Sequence, residues 1–337
     1  MSNKFLRRAA ALAPRRTWWA LDSPIPLPLS SRGNCSAQEQ YALCGAMSVR
    51  RWEWHAAARA CDARHLDLAS IRSTLAGKWV ACVGDSIARN LCAALMRGLA
   101  APPSSFVFDR HGDFERALDP GVKLTFHWSP FPQNTTALFT GWRRATKPDV
   151  VVVTTALWHV LHIGDAERYG REMRALAAAA RALLPKQGAP NPPLLVLASA
   201  TEVHPERMTT PEKRAAMTPA AVDAYNAALA ASGALVAGGG QVGAFGLLDL
   251  FRITHGEGWM TGSSCLFLTL PPAAAAENTP PVWMMTSSLW PMCCPGCGLE
   301  CSVDGVHSQP FVYDNAAQVL LNIVQRCEAK GPSCWAA

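Results

Sequence analysis

A run of β-branched residues near the middle of the chain, DVVVVTT at Asp149–Thr155, most constrains the fold. A strand with one face in water alternates apolar and polar residues, whereas this run is apolar at every central position. It therefore predicts a strand of a parallel sheet that is covered on both faces. Two other apolar runs, Lys78–Val83 and Leu194–Ala198, predict strands of the same sheet.

Helical patterns separate these strands. One helix is predicted to begin directly after the first strand and to span Ser86–Leu99, and an Ala-rich stretch predicts another over Arg168–Leu184. A third, Pro219–Ala231, has an N-cap residue at Thr218 and proline at its first position. This alternation indicates βαβ units and an α/β fold. The remaining predicted elements are strands at Val122–Trp128 and Gly246–Phe251 and a closing helix at Phe311–Arg326, with irregular insertions at Thr201–Thr218 and His255–Gly298.

The composition fits one globular domain, because 50% of the 337 residues are hydrophobic and 17% are charged. We predict a disordered basic tail over residues 1–33, one domain over 34–330 with a Cys-rich loop at 255–301, and a tail over 331–337. Much of the net charge of +6 lies in the first sixteen residues, and no basic stripe with aromatic residues follows, so no nucleic-acid partner is predicted. No apolar stretch reaches the roughly 18 residues of a membrane span.

The twelve cysteines are concentrated toward the two ends of the chain. This distribution predicts disulfides that tie irregular segments onto a core in an oxidising compartment. Two N-glycosylation sequons, at Asn34 and Asn134, agree with that location. The apolar stretch Ala9–Ala13 is shorter than the roughly 7–15 residues of a secretory signal, so the sequence shows no clear signal peptide.

A Gly84-Asp85-Ser86 sequence follows the first predicted strand, at the sheet edge that faces the ligand crevice in parallel sheets. A serine hydroxyl is a weak nucleophile until a base takes its proton, so catalysis requires a histidine and a carboxylate that orients it. Asp304 and His307 supply both groups in CSVDGVHSQPF, just before the last helix. The structural alternative is that Gly84 and Asp85 form a turn while Ser86 and Asp304 cap helices.

These motifs resemble those of SGNH-type esterases, with GDS near the start and DxxH near the end. More closely, the chain resembles the PC-esterase group, both its plant trichome-birefringence-like proteins and the luminal catalytic domain of sialate O-acetyltransferase. The resemblance spans residues 35–327 through an ordered series of segments: RWEWHAAARACDARHLD, GKWVACVGDSIARNL, LTFHWSPF, PDVVVVTTALWHV, VDAYNAAL and VDGVHSQPFVYDNAAQVLLNIV. It implies a flavodoxin-like, SGNH-hydrolase-like three-layer sandwich with a central parallel sheet.

The resemblance also implies roles for individual residues. Ser86 would be the nucleophile, His307 the general base and Asp304 the group that orients the base. The candidates for the pocket or the oxyanion hole are Gly84, Asp85, Arg89, Asn90 and Trp158.

Arg89 and Asn90 match the Arg-Asn pair of the family and would line the pocket or brace Asp85. The chain departs from the family at Ala156-Leu157-Trp158, where many relatives have Gly-His-Trp, or a glycine and an asparagine in the wider fold. No obvious asparagine of this chain completes the oxyanion hole from this strand. His159 and His162 follow as residues of the strand end, with surface and catalytic roles both open.

The function implied by the resemblance is serine-dependent transfer of acetyl groups to hydroxyls of a glycan or polysaccharide. No bound cofactor is predicted; acetyl-CoA or an acetyl carrier would be the co-substrate, and the glycan acceptor and acyl donor would be the partners. A carbohydrate acetyl esterase on the same triad and a catalytically silent glycan-binding protein are the alternatives. The relatives work in the Golgi lumen, which is the predicted location.

Two other motifs compete with this interpretation. MCCPGCGLEC at Met292–Cys301 contains one CxxC and, with His307, has the ligands of a structural zinc site, but a single CxxC favours disulfides instead, to Cys265 or Cys327. No metal is therefore predicted. Gly238–Gly243 matches the dinucleotide fingerprint GxGxxG in letters, yet no suitable helix follows, so it predicts a loop. The lipase motif GxSxG is absent from the sequence.

Overall fold

The computed structural model describes residues 64–109, 111–143, 145–184, 192–235, 244–254, 304–308 and 310–330. Within them, six strands form one sheet in the order β2-β3-β1-β4-β5-β6. The strands are β1 (Trp79–Gly84), β2 (Phe114–Leu118), β3 (Val122–Trp128), β4 (Val150–Thr154), β5 (Leu194–Ala198) and β6 (Gly246–Leu248). The α-helices are α1 (Leu68–Leu75), α2 (Ser86–Gly98), α3 (Pro132–Trp142), α4 (Ala156–His162), α5 (Ala166–Arg181), α6 (Pro211–Ala216), α7 (Pro219–Ala231), α8 (Leu250–Thr254) and α9 (Pro310–Lys330).

The central strands are parallel and buried on both faces, as their composition predicts. All five residues of β4 are buried, and β4 pairs in parallel with both β1 and β5. Strand β2 is the exception, because it pairs antiparallel with β3 at the edge of the sheet. The predicted α/β fold is confirmed, with a mostly parallel central sheet between two layers of helices.

The direction of the crossovers assigns the helices to the two faces. The chain moves from β1 to β3 on one side and then crosses back to β4, so right-handed connections place α2 and α3 on opposite faces. Helix α9 packs on α2, whereas α5 packs against both α3 and α7. The reversal of direction leaves a crevice at the carboxyl ends of β1 and β4, the position at which open α/β sheets bind ligands.

Several predicted elements match the structure residue by residue, including β3, β5 and α7, for which Thr218 is the N-cap. The strand predicted over Gly246–Phe251 is wrong beyond Leu248, because the chain turns there into helix α8. The predicted irregular insertion Thr201–Thr218 contains a 3-10 turn and the short helix α6. Strand β2 and helices α1, α3 and α4 were not predicted.

The last helix ties distant parts of the chain together. The Gln318 and Asn322 side-chain amides each exchange two hydrogen bonds with the backbone, at Leu66 and Arg64 respectively. Arg97 of α2 pairs with Asp314 and donates to the Pro310 carbonyl at the start of α9. These contacts fix α9, and the turn that precedes it, against the first βα unit.

Some predictions fall outside the described residues: both tails, the Cys-rich loop at 255–301, the GxGxxG segment and the Asn34 sequon. Of the cysteines in the described part, Cys327 is disulfide-bonded, whereas Cys82 and Cys92 are free and buried. Asn134 is exposed on α3. None of the described helices is both long and apolar enough to cross a membrane.

Candidate active site

Gly84 allows the end of β1 to approach β4 closely. Its φ of +144° is a conformation that residues with a side chain rarely adopt, and a Cβ there would lie 1.9 Å from the Thr154 carbonyl oxygen. Gly84 pairs with Thr154 of β4. Because it has no side chain, the backbone can turn sharply away from the strand direction at this close contact. The next two residues are thereby presented at the carboxyl edge of the sheet.

Asp85, and not Ser86, caps helix α2. Its Oδ1 accepts hydrogen bonds from the Ile87 N–H at 2.9 Å and from the Thr154 hydroxyl at 3.0 Å. Burial raises the pKa of the Asp85 carboxyl, and these two hydrogen bonds oppose the rise. The alternative in which Ser86 serves as the cap is therefore wrong; Asp85 braces the turn from inside the protein.

Ser86, the first residue of α2, meets His307 across a separation of 221 residues. The Ser86 hydroxyl oxygen lies 2.6 Å from His307 Nε2. On the other side of the ring, Nδ1 lies 2.9 Å from Asp304 Oδ2 and 3.1 Å from Oδ1. The structure thus brings the three predicted residues together in the order hydroxyl, imidazole, carboxylate, which is the geometry of a catalytic triad.

Asp304 holds the histidine through its side chain and its backbone. Burial alone would raise the pKa of this carboxyl, but hydrogen bonds from the His307 ring and from the N–H groups of His307 and Val306 outweigh it and hold the pKa well below the ordinary 3.8. Asp304 is therefore ionised at neutral pH. A carboxylate at Nδ1 favours the tautomer that leaves Nε2 free to accept a proton.

The insertion Thr201–Thr218 supports the Asp304–His307 turn, a contact that the sequence did not predict. The His204 N–H donates to the Gly305 carbonyl at 2.8 Å. Gly305 has a φ of +85°, and a Cβ at this position would lie 2.4 Å from the His204 carbonyl oxygen. Only glycine permits this approach without a shift of the turn that carries His307.

The other residues predicted to line the pocket or the oxyanion hole differ in burial and in the helix that carries them. Arg89 and Asn90 are half-buried on α2, and Asn90 hydrogen-bonds to Tyr313 of α9, whose pKa is raised to about 12 by burial. Asn90 therefore links the two helices that carry the site. Trp158 is on helix α4 and not on the strand that precedes it.

His159 and His162 were interpreted as residues of a strand end, which is wrong, because both belong to α4. His159 is fully buried and its Nδ1 lies 2.6 Å from the Tyr225 hydroxyl oxygen, whereas His162 is exposed. The burial of His159 could not be predicted from the sequence, because its partner Tyr225 lies 66 residues away.

The backbone donors at the start of α2 are mostly engaged. The Ala88 N–H donates to the Thr154 hydroxyl at 3.1 Å, the Arg89 N–H donates to the Asp85 carbonyl at 3.2 Å, and the Ile87 N–H donates to the Asp85 side chain. The donor that this helix would direct at an oxyanion is therefore the N–H of Ser86 itself, and a second donor has to come from another element.

The competing zinc hypothesis also needs the His307 ring. Both of its nitrogens already face partners, Ser86 at Nε2 and Asp304 at Nδ1. The cysteines of that hypothesis lie outside the described residues. Within the described part of the chain, no group of three or more metal-ligating side chains is found.

Fold and site together define a three-layer α/β protein with a flavodoxin-like, SGNH-hydrolase-like sandwich and a Ser-His-Asp arrangement at the crevice of its sheet. The chain is similar to Protein ALTERED XYLOGLUCAN 9 of Arabidopsis thaliana, with 26% identity over 326 residues that cover 89% of this chain and 74% of that protein. This similarity supports the resemblance to the plant trichome-birefringence-like proteins, whereas the resemblance to sialate O-acetyltransferase stays a prediction. No family model and no solved structure matches the chain.

Proposed function

We propose that the protein is a serine-dependent O-acetyltransferase that acts on a polysaccharide in the secretory pathway, in the Golgi lumen. The observation that carries this proposal is the contact of 2.6 Å between the Ser86 hydroxyl and His307 Nε2, with Asp304 at the opposite ring nitrogen. A histidine held in this way can remove the hydroxyl proton as the oxygen attacks a carbonyl carbon.

In the first half-reaction, Ser86 Oγ bonds to the carbonyl carbon of an acetyl donor while its proton passes to His307 Nε2. The carbonyl oxygen becomes an oxyanion beside the Ser86 N–H, at the positive end of α2. When the tetrahedral intermediate collapses, the bond to the leaving group breaks and the proton on His307 neutralises that group. The product is an acetyl ester of Ser86, and the ionised Asp304 stabilises the imidazolium formed on the way.

In the second half-reaction, a sugar hydroxyl takes the place of the departed leaving group. His307 removes its proton, the sugar oxygen attacks the acetyl carbon, and the bond to Ser86 Oγ breaks as the serine regains a proton from His307. The products are an acetylated sugar and free enzyme, so atoms and charges balance without an oxidant or a metal. The donor would be acetyl-CoA or another acetyl carrier, that is, an activated thioester or ester.

The choice of acceptor rests on the relative, whose name refers to xyloglucan. We infer that the acceptor here is a polysaccharide of the same chemical class. Water in place of the sugar would make the protein a carbohydrate acetyl esterase on the same triad. The two reactions share the acetyl-serine and differ only in which hydroxyl reaches it.

The experiment is to incubate the purified full chain with an aryl acetate and a deacetylated xyloglucan oligosaccharide. We expect release of the aryl alcohol together with an oligosaccharide heavier by one acetyl group. Ser86→Ala is expected to lower the rate by more than about 10⁴-fold, because the nucleophile is lost. Ser104→Ala, at an exposed serine, is the matched control and should behave like the wild type.

The outcomes separate the alternatives. Free acetate with no acetylated sugar over a panel of glycans would assign the esterase reaction. Equal rates for Ser86→Ala and the wild type would refute catalysis at this site and leave the catalytically silent glycan-binding protein. An acetyl adduct mapped to Ser86 by peptide mass analysis would establish the intermediate common to both enzymes.

A further inference from the structure

Five aromatic side chains form a continuous group beside the Ser86 turn, here termed the aromatic wall. Its members are His111, Trp128, Phe131, Trp158 and His162. The ring centroids of Trp128 and Trp158 are 5.1 Å apart, His111 stacks on Trp128 at 4.4 Å, and His162 lies 4.6 Å from Trp158. Phe131 meets the edge of Trp158 at 6.4 Å. The rings come from three separate segments of the chain, so only the fold assembles them.

The register of the sheet places this wall at the same edge as the nucleophile. Trp128 is the last residue of β3 and pairs with Gly84, two residues before Ser86. Trp158 lies on α4, which begins two residues after β4 ends at Thr154, the other neighbour of Gly84. The wall therefore bridges the two loops that flank the Ser86 turn, along the crevice where ligands bind in open α/β sheets.

The aromatic wall is not part of the hydrophobic core. Phe126 and Phe139, which are core residues, are 0% exposed, whereas the two tryptophans and the phenylalanine of the wall are half-buried and both histidines are exposed. A ligand that covers the water-exposed part of these rings gains free energy from burial of apolar surface, and contiguous apolar patches of this kind mark binding sites. A pyranose ring fits this role, because its C–H face packs on an aromatic plane while its hydroxyls stay hydrated.

Polar contacts hold the wall in place on two sides. Asp113 accepts the Trp128 N–H at 2.7 Å, which fixes the loop that carries His111 against β3. On the other side, His159 directly follows Trp158 and points inward, with Nδ1 2.6 Å from the Tyr225 hydroxyl and Nε2 3.4 Å from Glu172 Oε2. Contacts with the Tyr225 hydroxyl thus tie α4 to α7 and limit the movement of Trp158.

We propose that the aromatic wall is the acceptor subsite, where Trp158 and Trp128 bind a pyranose ring of the polysaccharide and bring one of its hydroxyls to the acetyl-serine. The inference rests on the proposed function, since it names the place of the acceptor in that reaction. The wall selects sugars over water by binding them beside Ser86, which makes transfer faster than hydrolysis.

The test compares two tryptophans at opposite ends of the strands: Trp158 near their carboxyl ends and Trp79 at the amino end of β1. Trp158→Leu is expected to raise the KM for a deacetylated xyloglucan oligosaccharide about three- to ten-fold, because the flat indole face on which the sugar ring packs is lost. Trp79→Leu is the matched control: Trp79 is half-buried at the start of β1, away from the crevice, and should leave this KM unchanged. The ratio of acetylated sugar to free acetate should fall for Trp158→Leu alone.

A binding measurement separates this inference from the proposed function. Isothermal titration of the same oligosaccharide into Ser86→Ala needs no catalysis, and we expect an affinity that is several-fold weaker in Ser86→Ala combined with Trp158→Leu. Equal affinities for these two variants would overturn the acceptor subsite even if the enzyme proves active. Binding weakened by loss of the tryptophan in a protein without activity would support the wall and refute the enzyme.

If Trp158→Leu does not fold, His162→Ala replaces it, because His162 is exposed and its ring lies against Trp158. A smaller increase in the acceptor KM, about two- to three-fold, is then expected. An unchanged KM together with an unchanged product ratio for His162→Ala would contradict the proposal.

Discussion

Replacing Gly84 with alanine tests whether the close approach of β1 to β4 builds the nucleophile turn. The new Cβ would lie 1.9 Å from the Thr154 carbonyl oxygen and 2.6 Å from the Thr154 hydroxyl. The first of these is a backbone atom of a central, fully buried strand, so it cannot rotate out of the way as the end of a flexible side chain would. Either the two strands separate or Ser86 moves.

The magnitude follows from two contributions. A φ of +144° costs about 1–3 kcal/mol for a residue with a Cβ. The overlap with Thr154 adds about 1–3 kcal/mol, as for other insertions into a packed core. The sum of about 2–6 kcal/mol is a large part of the roughly 5–15 kcal/mol by which a domain is stable.

Urea unfolding followed by tryptophan fluorescence measures this loss, with Gly77→Ala as the matched control. Gly77 also has a positive φ, +68°, but a Cβ there would meet nothing within 4 Å. It should cost only about 1–2 kcal/mol, from backbone strain alone. Equal losses for the two variants would refute the argument from the contact with Thr154.

Two further predictions concern the turn that carries the histidine. The pKa of Asp304 is lowered on folding, so its charge stabilises the native state above the ordinary pKa of 3.8, and this contribution is lost as the pH falls through the lower folded value. The stability difference between the wild type and Asp304→Asn, measured by urea unfolding, should therefore be constant near neutral pH and shrink below pH 3.8. A stability difference that is independent of pH would contradict this prediction. Gly305→Ala would place a Cβ 2.4 Å from the His204 carbonyl oxygen. The rate of aryl-acetate hydrolysis should therefore fall about 10²-fold or more, because His307 moves away from Ser86. A rate like that of the wild type would show that the turn adapts to the new side chain.

The central sheet and the three residues Ser86, Asp304 and His307 could be predicted from the sequence, because both are marked by local patterns. A β-branched run can be buried only in the middle of a sheet, and a serine at the end of such a strand lies in the crevice whatever the loops do. The DxxH spacing places carboxylate and imidazole on one turn. Each motif can be recognised within its own segment, whereas the contact between Ser86 and His307 across 221 residues is seen only in the structure.

The elements that were missed depend on distant contacts. Strand β2 is half exposed and exists as an edge of the sheet only because β3 pairs with it. Helix α4 follows a strand without a break in the apolar pattern, and its direction is fixed by the contact of His159 with Tyr225. The support of Gly305 by His204 joins two segments that share no pattern in the sequence.

The separation of 221 residues between Ser86 and His307 also has a consequence for how the site is held together. The sheet around Ser86 uses strands that end before the histidine begins, whereas its proton acceptor arrives only with the docking of α9 on α2, through contacts such as Arg97 with Asp314. Closure of such a long loop costs conformational entropy that the contacts between α9 and α2 have to offset. The distance between Ser86 and His307 therefore depends on the docking of α9, so a change far from both residues that loosens this docking would separate the hydroxyl from the imidazole.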